Sequence, residues 1–313
     1  MRPALSVILF TTLAGAGQGL FLALCVVETG ALLGLLPPQD GARFFSAGTA
    51  LALVLLGAGL VASMFHLGRP ERAWRAVAMW RTSWLSREVI VLPAFMAAVS
   101  AYGAAHWLES GGTLVLGALG VTLCLLLFVC TGMIYACIKF LQEWATPLTV
   151  VNYILLGCAS GFTLAAAFSG FAGGGAWPSL AVMAFALTVA ACLTRVAALA
   201  RNARLRPKSS LQTAIGVSHP KVVQKSQGFT GGSFNTREFF HGGTRAQVRF
   251  VKWAFLILAF PLPAALLTAS LAYNLPAFLV AAFGVQYAGL LAERWFFFAE
   301  ANHPQNLYYQ AIS

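Results

Sequence analysis

Residues Ser63 to Ile90 read SMFHLGRPERAWRAVAMWRTSWLSREVI and lie between two long apolar runs. Gly68 followed by Pro70 is typical of one helix ending and another beginning, so the chain is predicted to turn directly after His66. Beyond the turn, tryptophans alternate with arginines. This pattern is typical of a helix lying at the membrane surface, with indoles at headgroup depth. Glu88 then opens the next apolar run.

The composition excludes an ordinary soluble domain, because 59% of the 313 residues are hydrophobic and only 9% are charged. The net charge is +11, but the basic residues lie between apolar runs and not along one soluble face, so nucleic acid is not an expected partner. All 6 cysteines lie within apolar runs, and none forms a C-x-x-C pair. We therefore expect no metal site and no iron–sulfur ligation in this chain.

The apolar runs predict an all-α integral membrane protein, formed as one domain over residues 1–313 with a bundle of eight transmembrane helices. The predicted spans are about 7–36, 44–67, 88–108, 113–138, 148–171, 177–199, 252–274 and 276–299. Pro261 and Pro263 fall inside the seventh span and predict a kink there. Small residues are frequent in the spans, which predicts close helix packing.

The basic residues are distributed unevenly about these spans. Both termini and the loops after the second, fourth and sixth spans share one side, and Arg43 alone among the 20 Lys and Arg residues lies opposite. The positive-inside rule therefore predicts that both termini and the long basic 200–251 loop are cytoplasmic.

The 200–251 loop, between the sixth and seventh spans, is the only long polar segment of the sequence. Its glycine-rich part lacks the G-K-[ST] of a phosphate loop, so nucleotide binding is not expected. Aromatic residues are unusually frequent in it: Phe229, Phe234, Phe239 and Phe240. They predict a surface buried by a partner protein. A solvated loop attracted to anionic lipid is the alternative.

Three motifs carry a family resemblance: HLGRPERAW, WRTSWLSREV and LQTAIGVSHPKVVQKSQGFTGGSFNTREFFHG. With them the chain resembles, over essentially its whole length, the membrane anchor subunits of the dimethyl-sulfoxide reductase type, the DmsC-like family. The third motif resembles the subgroup whose complexes include cytoplasmic sulfite dehydrogenases.

The resemblance implies a multi-pass protein of the bacterial inner membrane that binds ubiquinone or menaquinone. It also implies two partners, an iron–sulfur (ferredoxin-like) subunit and a molybdopterin catalytic subunit. The iron–sulfur clusters and the molybdopterin guanine dinucleotide would belong to those partners alone. The chain would then have no catalytic role toward the soluble substrate, and either sulfite oxidation or S-oxide reduction needs such an anchor.

Ionisable side chains at span ends are costly in a membrane and are candidates for function. Quinone chemistry needs a hydrogen-bond partner at each oxygen and a route for protons, which a histidine and a carboxylate can supply. We predict that His66 and Glu88 handle protons, and that His66, Arg69, Arg72, Glu88 and Tyr135 contact the headgroup. The alternatives are that His66 bonds a backbone carbonyl, and that Glu88 pairs with a neighbouring arginine.

No two histidines fall at matching depth on facing spans, so a haem is not expected. Two other classes of function stay open from the sequence. A transporter is compatible with the number of spans, although no internal repeat supports it. A passive anchor without a quinone site is the other.

The uneven distribution of basic residues predicts that the 200–251 loop is cytoplasmic, and this topology can be tested by cysteine labelling. A cysteine placed in the 200–251 loop should resist an impermeant thiol reagent in intact cells and react after the membrane is opened. A cysteine beside Arg43 is the matched control and should react in intact cells. Labelling of the loop in intact cells would contradict the predicted orientation.

Overall fold

The computed structural model describes residues 1–223, 225, 241–304 and 306, and this part of the chain is helical without any strand. Its α-helices are α1 (Leu5–Leu32), α2 (Ser46–Met64), α3 (Trp84–Trp107), α4 (Thr113–Ala136), α5 (Pro147–Phe171), α6 (Trp177–Asn202), α7 (Leu211–Ile215), α8 (Arg245–Leu258), α9 (Pro261–Tyr273) and α10 (Ala277–Glu300). A π-helical turn at Gly41–Phe45 leads into α2, and a 3-10 helix covers Pro70–Met79.

Among the described residues, 7 helical segments are long and apolar enough to cross a membrane. They are α1 to α6 and the segment Arg245–Tyr273, in which α8 and α9 follow one another. The eighth predicted span corresponds to α10, a helix of 24 residues that carries buried charges. The prediction of an all-helical protein with several membrane spans is confirmed.

The seventh predicted span is broken between α8 and α9, as its two prolines predict. Phe260 leaves the helical conformation, with φ −124° and ψ −78°, directly before Pro261. The break packs closely on α10, because a Cβ at Gly289 would overlap the backbone of Ala259. A neighbouring helix thus covers the freed backbone groups, as a break at membrane depth requires.

The loop predicted over 200–251 is shorter than expected, because helix occupies both of its ends. Helix α6 continues to Asn202, and α8 begins at Arg245 with a capping box between Thr244 and Gln247. The short helix α7 lies between them. The four phenylalanines proposed as a docking surface lie outside the described residues.

The Ser63–Ile90 stretch forms the expected corner, with one difference of detail. Helix α2 ends at Met64, and Gly68 does not adopt a left-handed conformation, so the expected glycine cap is wrong. Pro70 does begin the next element, which is a 3-10 helix with no buried residue. Trp74 is 74% exposed and Trp80 52% exposed, as expected for side chains that meet lipid headgroups.

The long helices alternate in direction, so the bundle has two distinct ends. We call the end that holds the 3-10 helix, the start of α3 and the end of α4 the basic end. Contacts there include the Trp144 Nε1–H bond to the Phe297 carbonyl at 2.9 Å. At the opposite end, the Ser46 hydroxyl donates to the Gly103 carbonyl at 3.2 Å.

Helices α1 and α5 cross at the centre of the bundle through glycines. A Cβ at Gly161 would overlap the backbone of Gly19, and a Cβ at Gly19 would overlap Gly157. No side chain separates the two backbones at these positions. This confirms the close packing that the small residues predict, and it makes the crossing sensitive to any added atom.

We expect Gly161→Leu to destabilise the bundle, because the clash at this position is with backbone that has no rotamer to change. Overpacking typically costs about 1–3 kcal/mol even where side chains can shift, so the loss should reach at least that range. Gly57→Leu is the matched control, because no atom lies within 4 Å of a Cβ at Gly57. Thermal unfolding in detergent, followed by tryptophan fluorescence, should show a lower midpoint for Gly161→Leu alone; equal midpoints would contradict the crossing.

Candidate functional site

Glu88 is a buried carboxylate in the first turns of α3. The helix begins at Ser83, whose hydroxyl accepts the Ser86 N–H, and this cap places Glu88 on the side that faces α4. There the Thr131 hydroxyl donates a hydrogen bond to the Glu88 carboxylate. Both residues are less than one-tenth exposed. A buried acid with one hydroxyl partner retains the capacity to bind another hydrogen-bonding group.

The arginines near Glu88 have other partners, so the alternative of a Glu88–Arg ion pair is not what the described residues show. Arg87 donates to the carbonyls of Trp80 and Arg81 at 2.9 and 2.8 Å, and its guanidinium lies 4.2 Å from the centre of the Trp84 ring. Arg87 therefore ties the surface helix to the start of α3.

His66 lies at the corner after α2 and is exposed, as are Arg69 and Arg72. Arg72 approaches Glu71 at 3.9 Å, a loose surface ion pair. No hydrogen bond or ion pair joins His66 to Glu88 within the described ranges. The structure places His66, Arg69 and Arg72 on the surface of the basic end, and it places Glu88 in the interior of the same end, in the first turns of α3.

Tyr135, the fifth predicted site residue, lies one turn beyond Thr131 on α4 and belongs to an aromatic cluster. Its ring stacks on Tyr153, with centroids 5.6 Å apart, and contacts Trp144 edge-on at 5.3 Å. Phe297 and Phe298 of α10 complete the cluster. Tyr135 therefore packs between α4, α5 and α10 and is only partly exposed.

Four charged residues group together at the basic end, and we call them the ionic cluster: Arg195, Glu293 and Arg294, which are buried, and Glu300, which is partly exposed. Glu293 lies between the two arginines, with Arg195 Nε and Arg294 Nε each 2.6 Å from one of its oxygens. Arg195 Nη2 also lies 3.7 Å from Glu300. Buried charges of this kind are stable only when paired, and removing one partner typically costs about 3–5 kcal/mol.

Arg294 connects the ionic cluster with the aromatic cluster. Its guanidinium carbon lies 4.1 Å from the centre of the Tyr153 ring. Arg294 Nη1 and the Tyr153 hydroxyl are both buried without a well-formed hydrogen bond in the described part of the chain. Both residues line a cavity of about 30 Å³, and Thr131, the partner of Glu88, lines it as well.

The opposite end holds a separate buried acid, Glu28. Its carboxylate accepts the Tyr102 hydroxyl at 2.8 Å and lies 3.4 Å from His106 Nε2. The His106 ring stacks on Phe45 at 4.4 Å. Glu28 thus has partners inside the bundle, as has Gln18, which donates to the Cys124 carbonyl at 3.0 Å.

Sequence reasoning missed Thr131 as the partner of Glu88, because a threonine inside an apolar run carries no signal of function in a membrane helix. The rule that ionisable side chains at span ends are candidates for function also applies to Arg195, Glu293 and Arg294, but it does not predict their pairing. Adjacent opposite charges at 293 and 294, inside an otherwise apolar helix, were the one available signal. Charges at such positions are retained only with partners.

These features define a multi-pass helical membrane protein whose buried charges are concentrated at one end. A family model described as the DMSO reductase anchor subunit, DmsC, matches residues 1–292, and the chain belongs to this family. It is therefore a membrane anchor subunit, as the resemblance of its motifs predicts. It is also 55% identical to a sulfite dehydrogenase subunit of Allochromatium vinosum over 329 aligned positions, which cover 100% of both chains.

Proposed function

We propose that this chain is the quinone-reactive membrane anchor of a molybdenum oxidoreductase, with eight spans and the basic end in the cytoplasm. Helix α10 would be the eighth span, because its buried charges pair within the bundle and need no contact with lipid. Eight spans put both chain ends on one side, together with the basic loop. The excess of Lys and Arg residues on that side of the predicted spans supports its being the cytoplasmic side.

The observation that carries the quinone proposal is the arrangement of Glu88 and His66. Glu88 is buried at the depth of the first turns of α3, and His66 is exposed on the corner beside the surface helix. A headgroup that enters from the lipid at this corner meets the imidazole at the surface and the carboxylate beneath it. Arg69 and Arg72 lie on the same exposed corner and can contact its oxygens.

In this proposal, His66 and Glu88 each hold or release one proton at a quinone oxygen. His66 suits this task because a histidine titrates near neutral pH, and Glu88 because its hydrogen-bond partner among the described residues is a neutral hydroxyl. Thr131 orients the carboxylate toward α4. The surface helix, fixed to α3 through Arg87, gives the corner its shape.

The proposed partners are an iron–sulfur subunit and a molybdopterin catalytic subunit on the cytoplasmic face. Full-length similarity to a sulfite dehydrogenase subunit favours sulfite as the soluble substrate, with electrons passing to the quinone. The aromatic residues of the 226–243 segment are the proposed docking surface, because aromatics are typical anchors of protein interfaces. The redox centres would belong to the partners, and this chain would supply binding, orientation and proton transfer.

The proposal is tested by His66→Ala and Glu88→Gln in the purified complex. Losing a general acid–base group typically costs about 10² to 10⁴ in rate, so we expect His66→Ala to lower quinone-coupled turnover by that amount. Glu88→Gln keeps the shape and the Thr131 contact but relays no proton, so it should slow turnover with less loss of quinone-analogue binding. Turnover with a soluble artificial electron carrier measures the partners and should persist in both variants.

His106→Ala is the matched control, because His106 lies at the opposite end and pairs with Glu28. A wild-type quinone-coupled rate in His66→Ala would show that the quinone site does not lie at the His66 corner. If the purified complex binds no quinone analogue, the result would favour the alternative in which the chain is a passive anchor without a quinone site. Absence of molybdenum and iron from the purified complex would favour the transporter.

A further inference from the structure

Three spaces follow one another from the centre of the bundle to the surface of the basic end, and Thr131, the partner of Glu88, lines the innermost of them. The inner cavity, of about 30 Å³, is lined by Thr131, Tyr153 and Arg294 among others. The middle cavity, of about 10 Å³, lies between α5, α6 and α10 beside the ionic cluster. The outer cleft, of about 540 Å³, is lined by exposed and partly exposed residues and, within the described part of the chain, by no buried one.

Shared residues join these spaces in sequence. Arg294 lines both the inner and the middle cavity. Glu143 and Asn202 line both the middle cavity and the outer cleft. A cavity needs about 10–15 Å³ to hold one water, so the inner cavity has room for one and the middle cavity lies at the limit.

The walls between these spaces are polar, which is unusual for the interior of a membrane bundle. Asn152 and Glu293 line the middle cavity, and the Thr194 hydroxyl bonds Asn152 at 2.8 Å. The buried Tyr153 hydroxyl and Arg294 Nη1, without well-formed hydrogen bonds among the described atoms, both belong to residues of the inner cavity. A bound water with two to four polar partners would satisfy both groups.

The ionic cluster does not close this path to a proton. Its two arginines and two glutamates cancel formally, so the passage carries no net positive charge that would repel a proton. Glu293 between two guanidinium groups acts as a fixed anion, and Glu143 stands at the outer cleft. The Asn302 side-chain amide donates a hydrogen bond to the Glu143 carboxylate at 3.2 Å. The residues after α10 therefore form part of the outer cleft.

We propose that the inner cavity, the middle cavity and the outer cleft form one proton route, in which Thr131 and Tyr153 link Glu88 with water at the basic end. This inference rests on the proposed quinone site and adds the path by which its protons enter or leave. Arg294 positions the water of the inner cavity, and the ionic cluster holds the passage open between α5, α6 and α10.

Quinone reduction uses two electrons from the iron–sulfur partner and two protons, and each quinone oxygen forms one O–H bond. When Glu88 gives its proton to an oxygen, the Thr131 hydroxyl passes its own proton to the carboxylate and takes one from the water behind it. The Tyr153 hydroxyl, lining the same cavity, passes its proton to that water and takes one from water beside Arg294 in the middle cavity, which the outer cleft resupplies. Each group on the route thereby ends in the protonation state in which it began, and His66 supplies the proton of the second quinone oxygen. For quinol oxidation every transfer runs in reverse.

Thr131→Val and Tyr153→Phe test the route, because each removes one hydroxyl and keeps nearly the same shape. In the purified complex, both should lower quinone-coupled turnover by roughly tenfold or more, below the full effect of losing an acid–base group. Both should raise the solvent deuterium isotope effect on that turnover, since proton delivery then limits the rate. The affinity for a quinone analogue and the artificial-carrier rate should stay within about twofold, because neither hydroxyl contacts the headgroup in this account.

Two matched controls accompany them. Thr163→Val removes a fully buried hydroxyl that donates only within α5, to the Ala159 carbonyl, and lines none of the three spaces. Tyr102→Phe removes a fully buried hydroxyl at the opposite end, where it donates to Glu28 at 2.8 Å, and neither residue lines any of the three spaces. Both controls should keep the wild-type rate and the wild-type isotope effect.

Three results would overturn the route: wild-type turnover in Thr131→Val and Tyr153→Phe, a fall in turnover with an unchanged isotope effect, or a parallel loss of analogue affinity. The first removes the hydroxyls from the path, the second makes their role structural, and the third makes them headgroup contacts. A wild-type complex that neither binds the analogue nor turns over quinone would instead refute the proposed function itself, which distinguishes the two failures.

Discussion

The pairing of charges inside a bundle surrounded by lipid is the constraint on which the basic end depends. Neither hydrocarbon nor a packed helix interface can solvate an ion, so a buried carboxylate must find its partner on a neighbouring helix. Glu293 pairs in this way with Arg195 of α6, and it also pairs with Arg294, the next residue of its own helix α10. This interaction fixes the position of α10 against α6 and allows a charged helix to belong to the bundle.

The remaining architecture supports that arrangement. The glycine crossing of α1 and α5 brings the centre of the bundle together without side chains, and Gly289 lets α10 approach the break between α8 and α9. Among the described residues, the buried charged groups lie toward the two ends of the bundle. Glu28 and its partners occupy one end, whereas Glu88, the aromatic cluster and the ionic cluster occupy the other. Proton chemistry at a headgroup site and a path to water can therefore share a single face.

Much of this fold follows from the sequence, because apolar runs, prolines and glycines act locally. The helix bounds, the broken seventh span and the corner before Pro70 all depend on residues close together in the chain. The site was harder to predict, because its contacts join residues far apart. Glu88 and Thr131 are 43 positions apart in the sequence, and no local sequence pattern around either residue predicts their contact. Local patterns also predicted, wrongly, that Gly68 caps the helix before it, because α2 already ends at Met64 and Gly68 is not left-handed.

The central claim is that a quinone headgroup binds at the basic end, at the corner formed by His66 and Glu88. Photolabelling of the intact complex with an azido-quinone, followed by peptide mapping, tests it most directly. The account predicts labels within residues 63–90 or at Tyr135 on α4, and competition by unlabelled quinone. Labels confined to the opposite end, around Glu28 and His106, or found only on the partner subunits, would contradict it.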